Sequence, residues 1–335
     1  MMIAMSCFLS VVGTVMSMRL AFKMETLDYP NEIKIHTSPT PTFGGLGILC
    51  GSLITSLLIS HLRGYAFASM IPIFGGAFLA FIVGLIDDIK CLTPSWKLIG
   101  QICAGLVYVV LRLLASSNTP DSIRSVAFEL CWVVLLTVGL SNSFNLFDGM
   151  DSILAGTTVI MAVAGSVIAR SHASSTWSTI MLTIVGSCVG FLVFNLPPAK
   201  TFMGDCGSLY LGYLFGIAVY QLAFPLSRPT AHLFPWFLIL ALPICDTAFA
   251  IIRRLTHRSN ILSGDRRHVY DMLCDCFSGN AKKTALVIWC VAALLSILGV
   301  WIDSVGSLWL SAMVVAAVYI ALFSFGGYLG CLHVE

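Results

Sequence analysis

Charge is what this sequence has least of. Only 10% of its 335 residues are Asp, Glu, Lys or Arg, against about 25% in an ordinary soluble domain. With a mean hydropathy of +0.94, the chain has too little polar surface for a fold that dissolves in water. The net charge is only +2, so the dense basic face of a nucleic-acid binder is missing and no nucleic-acid partner is expected. Paired metal-binding cysteines are missing too. The twelve cysteines are scattered, mostly in apolar runs, and Cys274 and Cys276 form C-x-C rather than C-x-x-C, so buried thiols are expected. There is no internal repeat and no linker-like shift in composition, and residues 1–335 read as a single domain. The apolar run that starts at Met1 carries its basic residues, Arg19 and Lys23, after the run rather than before it. That is the reverse of a cleaved signal peptide, so it reads as a retained first span.

What the chain does have is long apolar runs. A membrane helix needs about 20 mostly apolar residues, and eleven segments qualify: 2–22, 43–60, 68–86, 97–115, 126–142, 152–169, 177–195, 207–224, 233–252, 284–301 and 308–330. The breaks between them carry turn chemistry, such as Asn118-Thr-Pro120 and Pro197-Pro198. The expected fold is an all-α polytopic membrane protein of about eleven transmembrane helices in a lipid bilayer. Thirteen of the eighteen Lys and Arg residues fall on one side, and only Arg63, Arg112, Arg124, Arg170 and Arg228 fall on the other. Because cytoplasmic loops are enriched in Lys and Arg, the N-terminus is expected outside and the C-terminus in the cytoplasm.

The acids are as uneven as the bases. Only Asp121, Glu129 and Asp303 of the sixteen fall on the outer side. Ionisable groups near membrane depth are costly and usually face a cavity or a partner. Five inner segments stand out. Gly84-Leu-Ile-Asp87-Asp88-Ile-Lys90 puts two adjacent carboxylates at the end of an apolar helix. Like charges this close raise each other's pKa unless a cation compensates; a divalent metal, a lipid phosphate clamped by Lys90, or one carboxylate acting as a base would each fit, as would a solvated helix end. In Asn142-Ser-Phe-Asn145-Leu-Phe-Asp148-Gly-Met-Asp151, polar residues recur every three positions and would share a face on a tight turn or helix start; Asp151 could also serve as an N-cap. In Phe202-Met-Gly204-Asp205-Cys-Gly207-Ser208, glycines flank an acid just before a helix, which suits phosphate at the helix start and Mg²⁺ on the carboxylate. Arg253-Arg254 through Gly264-Asp265-Arg266-Arg267-His268-Val-Tyr-Asp271 is either ordinary positive-inside charge or an Arg cluster for a diphosphate, with His268 as acid, donor or structural group. The fifth segment, Asp28-Tyr-Pro30 through His36 to Gly44-Gly45, taken alone reads as a connector. Asp246 reads only as a partner for some basic group.

Together, in this order and spacing and across almost the whole chain, these segments resemble the polyprenyl-phosphate N-acetylhexosamine-1-phosphate transferase family (glycosyltransferase family 4). The resemblance implies an enzyme in which a lipid phosphate attacks the sugar-bound phosphate of a UDP-N-acetylhexosamine. UMP leaves, and a polyprenyl-diphosphate-linked sugar remains for cell-envelope polysaccharide synthesis. It implies Mg²⁺, or Mn²⁺, as cofactor. Asp205 and Asp151 would be metal ligands. Asp87, Asp88, Asp151 and His268 would be the catalytic group, the first two orienting or deprotonating the lipid phosphate. His36, Lys97, Asn145, Asp148, Phe202, Arg266 and Arg267 would bind substrate, with Phe202 on the uracil and Lys97 on phosphate. A bacterial plasma-membrane location, an active site on the cytoplasmic face and a homodimer follow from the same resemblance. One motif departs from it: where family members read H-x-H-H or three consecutive histidines, this chain reads His268-Val-Tyr270-Asp271. The departure argues against the phospho-N-acetylmuramoyl-pentapeptide branch and does not identify the sugar; the expected transfer, on the resemblance, is of GlcNAc-1-phosphate. The competing readings are that branch, a silent scaffolding relative, and an ion-coupled transporter. A transporter would place its acids nearer the midplane and would often show a repeat.

Overall fold

The structure, a computed structural model, describes residues 1–29, 39–64, 67–115, 123–224, 232–257 and 267–332. His36 and Arg266 lie outside the described residues.

The apolar runs become helices: α1 (Met2–Lys23), α2 (Gly45–Leu62), α3 (Met70–Lys90), α4 (Pro94–Ala115), α5 (Ile123–Phe147), α6 (Ile153–Ser171), α7 (Ser175–Asn195) and α8 (Gly204–Ala223). They continue as α9 (Leu233–Ile239), α10 (Ala241–Thr256), α11 (Val269–Cys276), α12 (Ala281–Val305) and α13 (Leu308–Leu329). Among the described residues, ten helices are long and apolar enough to cross a membrane, or eleven if α9 and α10 count as one bent span. The chain is a multi-span helical membrane protein, as expected. The β-structure described is a two-residue ladder pairing Leu27 with Pro41 and Asp28 with Thr40.

The expected span at 233–252 is the one that differs. Its two halves, α9 and α10, meet at Leu240 with a bend of 76°. Pro243 explains the break. In a continuous helix its ring would press on the carbonyl of Ile239 and its missing N–H would leave that carbonyl unpaired. Restarting the helix at Ala241 puts Pro243 in a first turn, where neither cost arises.

Helix α8 is the axis of the bundle. Of its most apolar stretch, 89% is buried, against 6% for α13. It packs on α3 and α5, while α1 packs on α7 and α6 on both α7 and α12. The buried face of α1 is built of small residues, Ser6, Ser10, Gly13 and Ser17; Gly13 lies against Gly47 and Cys50 of α2, and Ser10 Oγ donates to the Ser187 carbonyl of α7 at 2.7 Å. In lipid, where apolar surface alone does not drive helices together, such close backbone approach does.

Short connections make sequential helices antiparallel. The C-terminal ends of α3, α5 and α7 therefore gather with the N-terminal ends of α4, α6 and α8 at one end of the bundle. All of the acid-rich segments described lie at that end. The opposite end carries the Arg112–Glu129 ion pair and the group His172, His232 and Asp303.

Candidate active site

Helix α3 runs out in Asp87-Asp88, and the two carboxylates turn different ways. Asp87 closes the turn into α4, accepting the Leu92 N–H at Oδ1 (2.6 Å). Asp88 reaches across to α8 and accepts the N–H groups of Asp205 (2.8 Å) and Cys206 (3.1 Å). It thus satisfies orphan donors at the start of α8, where the helix dipole also favours an anion. Two glycines permit this approach. A Cβ on Gly84 would lie 2.3 Å from the Asp205 carbonyl oxygen, and one on Gly204 2.2 Å from the Thr42 carbonyl oxygen. Gly204 also has φ +73°, a left-handed conformation that other residues adopt only with strain.

Lys97, in the first turn of α4, is the hub. Its Nζ lies 3.1 Å from Asp87 Oδ2, donates to Asn145 Oδ1 at 2.9 Å and pairs with Asp205. Asn145, at the end of α5, returns its amide to Asp205 Oδ1 (2.7 Å) and Ser208 Oγ (3.2 Å). One closed network thereby joins the ends of α3, α4, α5 and α8. Lys90, the alternative phosphate clamp, is exposed on the last turn of α3 and lies outside that network, whereas Lys97, the expected phosphate binder, lies within it.

Asn145, Asp148 and Asp151 do not share one helical face. The helix ends at Phe147, and the turn that follows sends them apart. Asp151 accepts the Ala199 N–H at 2.9 Å and does not cap α6, which starts from Ser152 at φ +64°. Asp148 stands between the two groups. Burial pushes its pKa well above the usual carboxylate range, and the charges of Asp205, Asp88 and Asp151 push it further. Phe202 enters by its backbone: its N–H donates to the Pro41 carbonyl (2.8 Å) and its own carbonyl accepts the Gly44 N–H (2.9 Å). With Thr201 Oγ1 also on the Pro41 carbonyl (2.9 Å), segment 39–45 is stitched to the Phe202–Asp205 loop. It is part of the site's wall, not a plain connector.

His268 is buried and starts α11. Its Nδ1 is 2.6 Å from Asp246 Oδ2, and Asp246 Oδ1 accepts the Val269 N–H at 2.8 Å. Asp246 is therefore the partner of a basic group, and the pair fixes the imidazole's orientation. The residue that departs from the family's histidine motif is fully used: Tyr270 stacks on His268 (5.2 Å, 1°), meets Phe147 edge-on (6.1 Å) and donates to the Leu146 carbonyl (3.0 Å). It ties the His268 segment to the Asn145–Asp151 segment. Arg253 is buried and donates to the carbonyls of Arg267 (3.0 Å) and Cys331, so it braces the His268 segment against the end of α13. Of the expected site residues, Asp87, Asp88, Lys97, Asn145 and Asp205 are joined directly by these contacts. Asp148 sits among them by charge. Asp151, Phe202, Arg267 and His268 hold the surrounding loops. Sequence reasoning missed Ser208, Asn195 (which takes the Ser152 N–H and donates to the Thr201 carbonyl, both at 2.9 Å) and Tyr270. The first two are neutral residues in or beside apolar helices, with no signal in the sequence. Tyr270 was visible as the motif's departure.

Asp87 and Asp205 both meet Lys97, and Asp88 and Asp148 lie close to Asp205, so carboxyl groups outnumber cations among these residues. Oxygen ligands in such excess suit a hard divalent cation.

Comparison with known proteins meets this geometry from the other side. Residues 70–223, the stretch from α3 through α8, match the glycosyl transferase family 4 model. A Bacillus subtilis protein named "Probable undecaprenyl-phosphate N-acetylglucosaminyl 1-phosphate transferase" is 32% identical over 308 residues, covering 89% of this chain and 82% of that one. The decaprenyl-phosphate N-acetylglucosaminephosphotransferase of Mycolicibacterium smegmatis is 31% identical, covering 80% of this chain and 73% of its own. A phospho-N-acetylmuramoyl-pentapeptide-transferase of Bacillus thuringiensis is 30% identical, covering 79% and 84%. The matched stretch supplies the helix ends that meet at Lys97, and the similarity runs through most of the chain on either side of it: this protein belongs to glycosyl transferase family 4.

Proposed function

We propose that this protein transfers N-acetylglucosamine-1-phosphate from UDP-N-acetylglucosamine to a polyprenyl phosphate, with Mg²⁺ as cofactor, at the cytoplasmic face of a bacterial plasma membrane. The observation that carries the reading is the Lys97 hub. A cation among Asp87, Asn145 and Asp205, at one end of a membrane bundle, is where a lipid phosphate and a water-borne nucleotide can both arrive. Lipid access is supported by the neighbouring surface: Ile86, Ile89, Trp96 and Ile99 on α3 and α4 are all exposed. The printed names of the relatives above, two of them GlcNAc-phosphate transferases, supply the sugar and the polyprenyl carrier. The excess of Lys and Arg on the loops at this end supports the cytoplasmic assignment.

The reaction forms a bond between a lipid phosphate oxygen and the sugar-bound phosphorus, and breaks that phosphorus's bond to UMP. Phosphoryl transfer of this kind rests on positioning and on neutralising charge. A phosphate monoester has a second pKa of about 6, so the nucleophile is largely ionised at neutral pH. Asp87 and Asp88 then serve more to orient than to deprotonate. Lys97 would move from its carboxylate partners toward the incoming phosphates. Asn145 and Ser208 would hold Asp205 in place. Asp205, with Asp151, would hold Mg²⁺, which when bound supplies the positive charge the cluster lacks. The Asp246–His268 pair, buttressed by Tyr270, would present an oriented imidazole to the diphosphate.

The test is direct. Purified protein in lipid nanodiscs, given Mg²⁺, undecaprenyl phosphate and UDP-N-acetylglucosamine, is expected to release UMP and form a lipid-linked sugar. A panel of UDP-N-acetylhexosamines identifies the donor, and no release with any of them would overturn the reading. The transporter alternative is not favoured by either observation: the acids cluster at helix ends rather than at midplane, and the relatives are transferases.

A further inference from the structure

At the opposite end of the bundle three metal-binding side chains converge that the transfer chemistry does not use. His172 caps the C-terminus of α6, His232 precedes α9, and Asp303 lies in the last turns of α12. His172 Nε2 and His232 Nδ1 each lie 3.2 Å from the same atom, Asp303 Oδ1, and one ligand atom from each residue falls within 4.8 Å of the others. We propose that these residues form a second metal site, for a borderline transition-metal ion such as Zn²⁺, that staples α6, α9 and α12 together.

The geometry suits an ion as well as the hydrogen bonds the two imidazoles make to Asp303. Around a tetrahedral Zn²⁺ with bonds of about 2.0–2.1 Å, ligand atoms sit about 3.3 Å apart, close to both separations. The same separations are at the long end of the hydrogen-bond range, whereas the Asp246–His268 contact in this chain is 2.6 Å. The rings approach edge to face, with centroids 4.6 Å apart and planes at 77°, so both nitrogens can converge on the carboxylate without the rings stacking. Ser171 Oγ donates to Asp303 Oδ2 at 3.2 Å, an outer contact of the kind that orients a ligating carboxylate. Side-chain exposures of 5% for Asp303, 15% for His232 and 19% for His172 combine a largely dry site with a way in for the ion and for a water as fourth ligand. Two imidazoles and one carboxylate select Zn²⁺ or Cu²⁺ over Mg²⁺, which prefers oxygen throughout. The site is therefore chemically separable from the acid cluster. The staple would anchor α9, the first half of the broken span whose second half carries Asp246.

The experiment uses the full-length, tag-free protein in detergent, stripped with a chelator, loaded with Zn²⁺ and desalted. One zinc per chain is expected, retained in excess Mg²⁺, together with a raised Tm. The His172→Gln/His232→Gln variant should lose both the zinc and the Tm increase, while its UMP release in Mg²⁺ is unchanged. Asp205→Asn should keep the zinc. No zinc on the wild type, or equal zinc on the double histidine variant, overturns the site, as does zinc that disappears only with Asp205→Asn. Should the double variant fail to fold, EPR of the Cu²⁺-loaded wild type decides. Nitrogen couplings from two imidazoles are expected, and their absence overturns the proposal.

Discussion

The two ends of this bundle handle charge in opposite ways. At the far end each acid described has a basic side chain as partner. Arg112 meets Glu129, which is buried, and Asp303 is shared by two histidines. At the other end Asp87 and Asp205 share Lys97, with Asp88 and Asp148 close by, and burial, with the charges of Asp205, Asp88 and Asp151, holds the pKa of Asp148 above its ordinary range. Burying an unbalanced cluster is expensive, and a fold selected only for stability would pair it. The contrast separates charges that hold the helices from charges that the proposed function assigns to a cation and phosphates.

The largest test of this contrast is Asp205→Asn. It keeps the side chain's shape and its place beside Lys97 and Asn145, yet should lower UMP release by at least about 10²-fold, the scale seen when one preorganised electrostatic partner is lost. Membrane insertion and elution profile should be unchanged, and wild-type turnover in this variant would break the comparison. Lys97→Met removes the hub and should bring a comparable loss in kcat. Because it also leaves Asp87 and Asp205 without their cation, Tm should fall as well.

Asp246→Asn should cost less. It loosens a positioning contact rather than a group facing the phosphates, and the fall in kcat should be about 10-fold. A shifted pH–rate profile would mark the loss of the Asp–His pair, whereas purely structural damage would leave the profile's shape intact. At the far end, Arg112→Ala leaves Glu129 buried with its charge uncompensated. Stability should drop by about 3 kcal/mol, read as a lower Tm, with kcat near wild type.

The smallest effect concerns pH. Asp148's pKa is raised in the folded protein, so the fold favours its protonated form, and the contribution from this group is lost as pH rises through that raised pKa. In chelator-treated protein Tm should decline with rising pH. Asp148→Asn should flatten that decline, and so should Mg²⁺ if it supplies the missing charge.

Much of this was legible before any coordinates. The spans were readable because lipid demands long apolar runs that satisfy their own backbone, and the acids stood out because charge in such runs is costly. Asp87, Asp88, Asp148 and Asp205 were all visible for that reason, and Asn145 through its three-residue spacing from Asp148 and Asp151. Neutral partners were not. Ser208 and Asn195 cost little wherever they sit, so their positions carried no signal. Lys90, one alternative partner for the Asp87-Asp88 pair, is exposed on the last turn of α3, while Lys97, expected on phosphate, turns in from the next helix to meet Asp87.

The apolar pattern and the cost of membrane charge therefore determined, from sequence alone, a multi-span helical protein with acids collected at one end. Tertiary structure decided which charges meet. The break at Pro243 let α10 bring Asp246 to His268, Gly84 and Gly204 let α3 and α8 close until Asp88 reached the start of α8, and the antiparallel stacking of α3, α4, α5 and α8 put Lys97 at their common end. Those pairings join residues up to 118 positions apart. They depend on how closely helices approach one another, a property of packed pairs that no single segment carries.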